Sequence, residues 1–208
     1  MKGRKMASLP NCLSNNECNS TPGDNTIVNV NIAPYFPVRK TTPSPISHGH
    51  SWLANGSWGD YGHNRSNGKR SHAGCDIYTQ VDEPVYAVKS GTIISSETVS
   101  NSPGWGGAGA ITVDHGDYII RYGEVKNITQ LSGPVVQGQR LAIVSNTTFY
   151  PAQAMLHLEM YNKTATGPLT NPNSPKKVNG RPIRRRVDSI NPTHYLESWI
   201  NNLPPESS

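Results

Sequence analysis

The feature that most constrains this chain is a series of short apolar runs, each followed by turn residues, through its middle and second half. With 19 glycines, 17 prolines and 34% hydrophobic residues among 208, the chain suits short strands better than a helical bundle. The runs that carry strand signals span residues 75–78, 84–88, 91–95, 110–113, 117–122, 140–144 and 155–161. We predict a mainly β protein, an antiparallel β-sandwich or open barrel of short strands with long loops.

One helix is predicted near the C-terminus. Asn191 can cap it, Pro192 fits its first position, and Leu203 with Pro204 closes it. The residues that share its apolar face are Tyr195, Leu196, Trp199 and Ile200. We expect this face to dock on the sheet.

Composition divides the chain into three parts. Residues 1–33 are rich in Asn, Ser, Thr and Gly, without periodicity, and are predicted to be a flexible tail or adaptor. Residues 34–203 hold the predicted domain, and residues 204–208 form a short tail.

Charge and cysteine content restrict the partners. A net charge of +5 favours an anionic partner, and basic residues are densest from Lys176 to Arg186. That run suits a solvated loop as well as a binding patch, and no nucleic-acid-binding motif accompanies it, so nucleic acid is not a predicted partner. The three cysteines, Cys12, Cys18 and Cys75, form no disulfide framework. Cys12 and Cys18 could pair, because they lie in one segment, but the odd count and the missing signal favour free thiols.

No apolar run reaches the length of about 18 residues that a membrane span needs. The basic start, Met1 to Lys5, is not followed by an apolar segment, so no secretory signal is predicted. We therefore expect the protein to be cytoplasmic in the cell that produces it.

A single histidine lies in the apolar stretch "AMLHLEMY" at 154–161. Strand alternation puts Leu156, Leu158 and Met160 on one face and Met155, His157 and Glu159 on the other. A core histidine would lie with the leucines. The pattern therefore leaves a metal ligand and a core residue about equally open for His157.

The stretch "HAGCD" at 72–76 supplies further candidate ligands. His72 and Asp76 have the same strand parity, and a bend at Gly74 would let both converge on one ion. With His157 they would make three protein ligands of Zn²⁺ and leave the fourth position open, as in catalytic zinc sites. The alternative is that His72 and Asp76 are surface loop residues.

Several segments follow one another in an order typical of one family. After "HAGCD" come "PVYAVKSGTI", "AITVDHG", "IIRYGEV", "VVQGQRLAIV" and "LHLEM". Over about residues 70–162 this set resembles the lysostaphin/LytM-like peptidoglycan zinc metalloendopeptidases. The resemblance implies one zinc ion bound by His72, Asp76 and His157, and a peptide of peptidoglycan as substrate.

The chain departs from this family at two positions. Where the family usually has histidines, in a Tyr-x-His strand end and at the first position of His-x-His, this chain has Glu124 and Met155. Glu124 shares strand parity with Tyr122 and Ile120, and we expect it to act as a substitute general base that passes the water proton to the leaving amine. The alternatives are a surface carboxylate or a residue that orients a ligand, the role we assign to Glu159.

Met155 cannot donate a hydrogen bond to a developing oxyanion. Loss of one such donor typically costs about 10²–10³ in turnover, so another group is needed if the protein is an enzyme. The candidates for a transition-state stabiliser are Tyr122, His50, His63 and Arg65.

These inferences predict a zinc-dependent endopeptidase that hydrolyses peptide bonds in bacterial peptidoglycan. We expect it to act as an antibacterial effector that a secretion system or phage delivers to the periplasm or cell wall of a target, with a carrier or immunity protein as partner. The alternative is a catalytically inactive zinc-binding module that binds the cell wall or a partner protein.

Overall fold

The computed structural model describes residues 12–13, 17–19, 27–29, 32–42, 59–97, 108–146 and 154–206, and the chain divides into two compact units, Met1–Ala33 and Pro34–Ser208. In the first unit an antiparallel sheet consists of β1 (Cys12–Leu13), β2 (Glu17–Asn19) and β3 (Ile27–Asn29), in that order. The flexible character of residues 1–33 stays a prediction.

The second unit contains thirteen strands and one helix among the described residues. They are β4 (Asn64–Arg65), β5 (Arg70–Ser71), β6 (Cys75–Tyr78), β7 (Pro84–Tyr86), β8 (Gly91–Glu97), β9 (Gly109–Asp114), β10 (Ile119–Lys126), β11 (Gly133–Val135), β12 (Arg140–Val144), β13 (Met155–Tyr161), β14 (Lys177–Val178), β15 (Arg181–Pro182), β16 (Ser189–Ile190) and α1 (Thr193–Trp199). The prediction of a mainly β, antiparallel fold with one C-terminal helix is confirmed.

A nine-stranded antiparallel sheet forms the body of this unit. Six strands follow in the order β11-β8-β9-β10-β12-β7, and β13 pairs with β10 on one side and with β6 and β16 on the other. Strand β13 therefore lies between β6, which carries Asp76, and β10, which carries Glu124. This topology brings together chain segments that are far apart in sequence.

Alternation along β13 separates the core from the opposite face. Leu156, Leu158 and Met160 are all fully buried in the main hydrophobic core. Tyr122 of β10 is the direct cross-strand partner of Leu158 of β13, and its side chain lies in the same core. The other face of β13 carries His157, as the alternation predicts.

A β-bulge at Glu124 interrupts the alternation of β10. The register against β9 shifts between Gly123 and Val125, which leaves Glu124 as the extra residue, with φ at 62°. Tyr122 and Val125 both enter the core although they are an odd number of positions apart. The parity argument that placed Glu124 with Tyr122 is wrong, because Tyr122 faces the core and the bulge turns Glu124 toward the face of His157.

The bulge also marks a change of neighbour for β10. Strand β10 pairs with β13 as far as Gly123 and with β12 from Val125 onward. At the junction the backbone carbonyl of Glu124 accepts a hydrogen bond of 2.8 Å from the Ser145 amide. Glu124 therefore lies where β10 leaves β13 and begins to pair with β12.

Helix α1 docks on the core through Leu196 and Trp199, as the apolar face predicts. The Asn191 side chain accepts a hydrogen bond of 3.0 Å from the Thr193 amide. The helix ends at Trp199, earlier than predicted, because Asn202 turns back to accept a 2.7 Å hydrogen bond from the Phe36 amide. Helix α1 has seven residues, and the described part of the chain forms no helix with the length and apolarity of a membrane span.

Gly74 permits the close approach of the turn before β6 to β13. A Cβ atom at Gly74 would lie 2.3 Å from the carbonyl oxygen of Leu158 and 3.1 Å from Cε1 of His157. The obstacle is backbone, which cannot swing aside. The glycine predicted to bend this segment is thus needed for space.

We expect Gly74→Ala to lower the free energy of unfolding by about 1–3 kcal/mol, because the strands must separate to admit the methyl group. It should also weaken zinc binding, since the displaced strand carries His157. Gly91→Ala is the matched control, because its Cβ would lie 2.4 Å from the Asp114 carbonyl oxygen. Denaturant unfolding and zinc titration of both variants check this: equal zinc affinities would contradict it.

Candidate metal centre

Three donor atoms converge where the turn before β6 and the start of β6 meet strand β13. Asp76 and His157 are direct cross-strand partners, and Nδ1 of His157 lies 2.8 Å from Oδ1 of Asp76. Nε2 of His72 lies 3.1 Å from Nδ1 of His157 and 3.1 Å from Oδ1 of Asp76. The fold thus brings together His72, Asp76 and His157, the residues predicted as ligands.

Each of these side chains is held through its outer atom. Nδ1 of His72 donates to the carbonyl oxygen of Asp60 at 2.9 Å, and Nε2 of His157 donates to Oε1 of Glu159 at 3.0 Å. Oδ2 of Asp76 accepts a hydrogen bond of 2.8 Å from Nη2 of Arg65. The inner atoms are therefore left to face one another, and the outer bonds fix the imidazole tautomers that a metal requires.

Glu159 is fully buried and strongly held. Arg185 donates from Nε to Oε2 at 2.8 Å and from Nη2 to Oε1 at 2.9 Å, and the Tyr161 hydroxyl donates at 2.5 Å. Burial opposes ionisation of Glu159, but His157 and Arg185 outweigh it and hold its pKa well below the usual range. Sequence reasoning missed Arg185, because no local pattern links it to a strand 26 residues away.

Electrostatics ties the protonation of His157 to its two carboxylate neighbours. Burial alone would lower its pKa, but hydrogen bonds to Asp76 and Glu159 raise it to about 9. Asp76 responds in the opposite sense: burial disfavours its charge, yet His72 and His157 lower its pKa. Without a metal, protonated His157 forms ion pairs with Asp76 and Glu159 and so compensates their negative charges.

Glu124 lies beside this cluster. It is half-buried, its Oε2 has no hydrogen-bond partner among the described residues, and burial followed by the charge of Asp76 raises its pKa to about 7. The charges of His157 and Arg65 act on it in the opposite direction. An unpartnered buried oxygen on a residue at positive φ is unfavourable for folding and is common at functional sites.

Tyr78 occupies the position next to Met155. The two residues are direct cross-strand partners, one pair along the same face from Asp76 and His157. Tyr78 is buried, and burial with the nearby charge of Asp76 raises its pKa to about 12, so its hydroxyl keeps its proton at neutral pH. Sequence reasoning missed Tyr78, although its parity with Asp76 was a usable signal.

The candidates for a transition-state stabiliser lie in different places. Arg65 contacts Asp76, and His63 lies next to the cluster, where its carbonyl accepts a 2.7 Å hydrogen bond from the His72 amide. Tyr122 is not at the site: it is buried on the core face, with its hydroxyl 3.0 Å from Nε2 of His115. His50 lies outside the described residues.

The donor set fits zinc. Two imidazole nitrogens and one carboxylate oxygen within 4.8 Å of one another are borderline ligands of the kind zinc prefers, and three protein ligands are typical of catalytic sites. The outer hydrogen bond on every ligand is also typical of metal sites. The site can therefore bind a divalent ion with one position left for water or substrate.

The candidate ligands lie in a part of the chain that matches a known protein family. The sequence model of Peptidase family M23 matches residues 70–172, which include all three candidate ligands and Glu124. Residues 70–172 thus form a domain of Peptidase family M23, and the resemblance to lysostaphin-type and LytM-type peptidases is confirmed. No curated protein matches the chain.

Solved structures with a similar fold include lysostaphin of Staphylococcus simulans. Its catalytic domain is 20% identical, with a TM-score of 0.44 over 66% of this chain and 88% of that chain. A structure of the whole lysostaphin is 22% identical, with a TM-score of 0.47, and the match covers 74% of this chain and 55% of that one. A mutant catalytic domain of the prophage-encoded M23 protein EnpA from Enterococcus faecalis is 21% identical, with a TM-score of 0.40 over 52% and 81% of the two chains.

We expect zinc binding at pH 7.5 to release about one proton, because His157 is protonated below its raised pKa of about 9 and must lose that proton to coordinate a metal. Proton release should fall as the pH rises through 9. Calorimetric titration in buffers of different ionisation enthalpy measures it. A binding enthalpy that is independent of the buffer at pH 7.5 would contradict the assignment.

Proposed function

We propose that this protein is a zinc-dependent endopeptidase that hydrolyses peptide bonds in bacterial peptidoglycan. The observation that carries the proposal is the convergence of His72, Asp76 and His157, each oriented through its outer atom. The half-buried carboxylate of Glu124 beside them adds an acid–base group. Membership of Peptidase family M23 supports the substrate class.

His72, Asp76 and His157 would hold the zinc ion, which when bound supplies Lewis acidity and lowers the pKa of a water from about 15.7 to about 7. In our proposal Glu124 takes a proton from the attacking water as the water oxygen bonds to the carbonyl carbon. The same carboxyl group then gives that proton to the amide nitrogen as the C–N bond breaks. The amine leaves neutral, and Glu124 returns to its carboxylate form.

Tyr78 is our proposed replacement for the donor lost at Met155. Its ring lies beside Met155 on the face that carries Asp76, and its raised pKa keeps the hydroxyl protonated. A phenolic O–H at this place can donate to the carbonyl oxygen as negative charge develops there. The hydrogen bond from Arg65 orients the carboxylate of Asp76.

A second candidate function is a zinc-binding module without catalytic activity. The observation that favours it is Met155, whose thioether cannot carry a proton between water and substrate. Delivery by a secretion system or phage, with a carrier or immunity protein, stays a prediction of the sequence. The tests below separate the enzyme from the inactive module.

Zinc-loaded protein incubated with purified peptidoglycan sacculi, followed by digestion of the glycan strands with a muramidase, should cause the release of new muropeptides, because each hydrolysed peptide bond leaves peptides that untreated sacculi lack. A chelator should abolish the release, and added zinc should restore it. Chromatography and mass spectrometry of the products measure both. An unchanged muropeptide profile at high protein concentration would support the inactive module.

The control is Glu124→Gln, which keeps the shape of the side chain and removes its basicity. We expect zinc affinity close to that of the wild type and a rate lower by about 10²–10⁴. The wild-type rate should rise with pH as Glu124 loses its proton, and this rise should vanish in the variant. Unchanged activity would exclude Glu124 as the base.

Tyr78→Phe should reduce kcat by about 10²–10³ with little change in zinc affinity, because only the donor to the developing oxyanion is lost. Tyr122→Phe is the matched control, since the Tyr122 hydroxyl lies in the core beside His115. It should lower stability and leave kcat nearly unchanged. Equal losses of kcat in the two variants would reject the role of Tyr78.

A further inference from the structure

The basic run from Lys176 to Arg186 has two kinds of residues in the structure. Arg185 binds Glu159, and Arg186 binds Asp188 through two hydrogen bonds of 2.7 and 2.9 Å. These two guanidinium groups are structural. Arg184 is exposed, at a positive φ of 54°, and no carboxylate pairs with it among the described residues.

A second cation without a carboxylate partner lies on the hairpin that leads to the metal centre. Arg70 is the direct cross-strand partner of Arg65, so both side chains project from one face of the β4–β5 hairpin. Arg65 uses that face to reach Asp76. Nε of Arg70 donates a hydrogen bond of 3.3 Å to Oγ of Ser66. In the described part of the chain no carboxylate forms an ion pair with Arg70.

Placing two like charges directly opposite on a hairpin is unfavourable, and the surrounding charges make it more so. Strand β15, which leads to Arg184 and Arg185, contacts strand β5, which carries Arg70. Arg65 and Arg70 are therefore close enough to repel each other, and the segment that leads to Arg184 packs beside them. Such a cluster is stabilised when an anion binds.

The tertiary structure brings the segments that carry Arg70 and Arg184 together by docking one hairpin on another. The Ser71 hydroxyl donates to the carbonyl oxygen of Val178 at 2.5 Å, and Nδ2 of Asn179 donates to the carbonyl oxygen of Gly62 at 3.1 Å. The β14–β15 hairpin is thus fixed against the segment that carries Arg70. The run that continues to Arg184 and Arg185 follows directly from it.

We propose that Arg70 and Arg184 form a subsite that binds a carboxylate group of the peptide substrate beside the metal centre. The planar guanidinium group offers paired donors that match the two oxygens of a carboxylate. Arg65 and Arg185 are already bound to Asp76 and Glu159, so the anion takes the two arginines that lack carboxylates. The inference rests on the proposed function, and it restricts the substrate to peptides with a free carboxylate near the scissile bond.

The test uses the zinc-loaded full chain and synthetic stem peptides that differ in one group. One peptide has all carboxylates free, a second has its C-terminal carboxylate as a carboxamide, and a third has a side-chain carboxylate as a carboxamide. We expect kcat/KM to fall about 10- to 100-fold for the peptide that lacks the recognised carboxylate, because a charge-assisted pair is lost. The affected peptide identifies the source of the carboxylate.

Arg70→Gln and Arg184→Gln should remove this discrimination, mainly through KM, and leave the carboxamide peptide unaffected. Arg140→Gln is the matched control for net charge, because Arg140 is exposed and lies at the opposite end of β12 from the residues that pair near Glu124. It should discriminate as the wild type does. Discrimination that survives in Arg70→Gln and Arg184→Gln overturns the subsite.

Binding to the zinc-loaded Glu124→Gln variant separates this proposal from the proposed function. If no peptide is cleaved but the free-carboxylate peptide binds more tightly in a manner that needs Arg70, the subsite stands and the enzyme fails. If peptides are cleaved and bound equally well with and without each carboxylate, the enzyme stands and the subsite fails. Absence of any binding overturns the subsite.

Discussion

The structure around the candidate site depends on the buried ionised carboxylate of Asp76. An isolated charge at this depth would be strongly unfavourable, and here it is compensated on every side. His72 and His157 contact one oxygen and Arg65 contacts the other. Through these contacts Asp76 links the β4–β5 hairpin, the turn before β6 and strand β13.

A second buried carboxylate, Glu159, contacts His157 on the side away from Asp76, and its negative charge is also compensated. Glu159 accepts from His157 and is bound by Arg185, so opposite charges alternate from the metal centre to the protein surface. Every group in this chain of contacts restricts the next. The arrangement explains why part of the basic run near the C-terminus is internal, while Arg184 stays exposed beside the site.

Glu124 and Tyr78 gain their positions from backbone geometry. The bulge in β10 inserts Glu124 where β10 leaves β13 for β12, and the register of β6 against β13 sets Tyr78 beside Met155. Both are consequences of strand pairing over long sequence distances. The strand register therefore determines where the two groups that we propose for proton transfer and oxyanion stabilisation lie.

The sequence by itself determined the fold class and the face of β13 on which His157 lies, because alternation and turn residues are local signals. The order of short motifs identified His72, Asp76 and His157 as one set. Only the tertiary structure decided the rest: parity wrongly joined Glu124 to Tyr122, since an inserted residue cannot be seen without its partner strand. The contact of Arg185 with Glu159 and the place of Tyr78 beside Met155 likewise depend on which strands meet, and such long-range pairing leaves no local pattern in a chain.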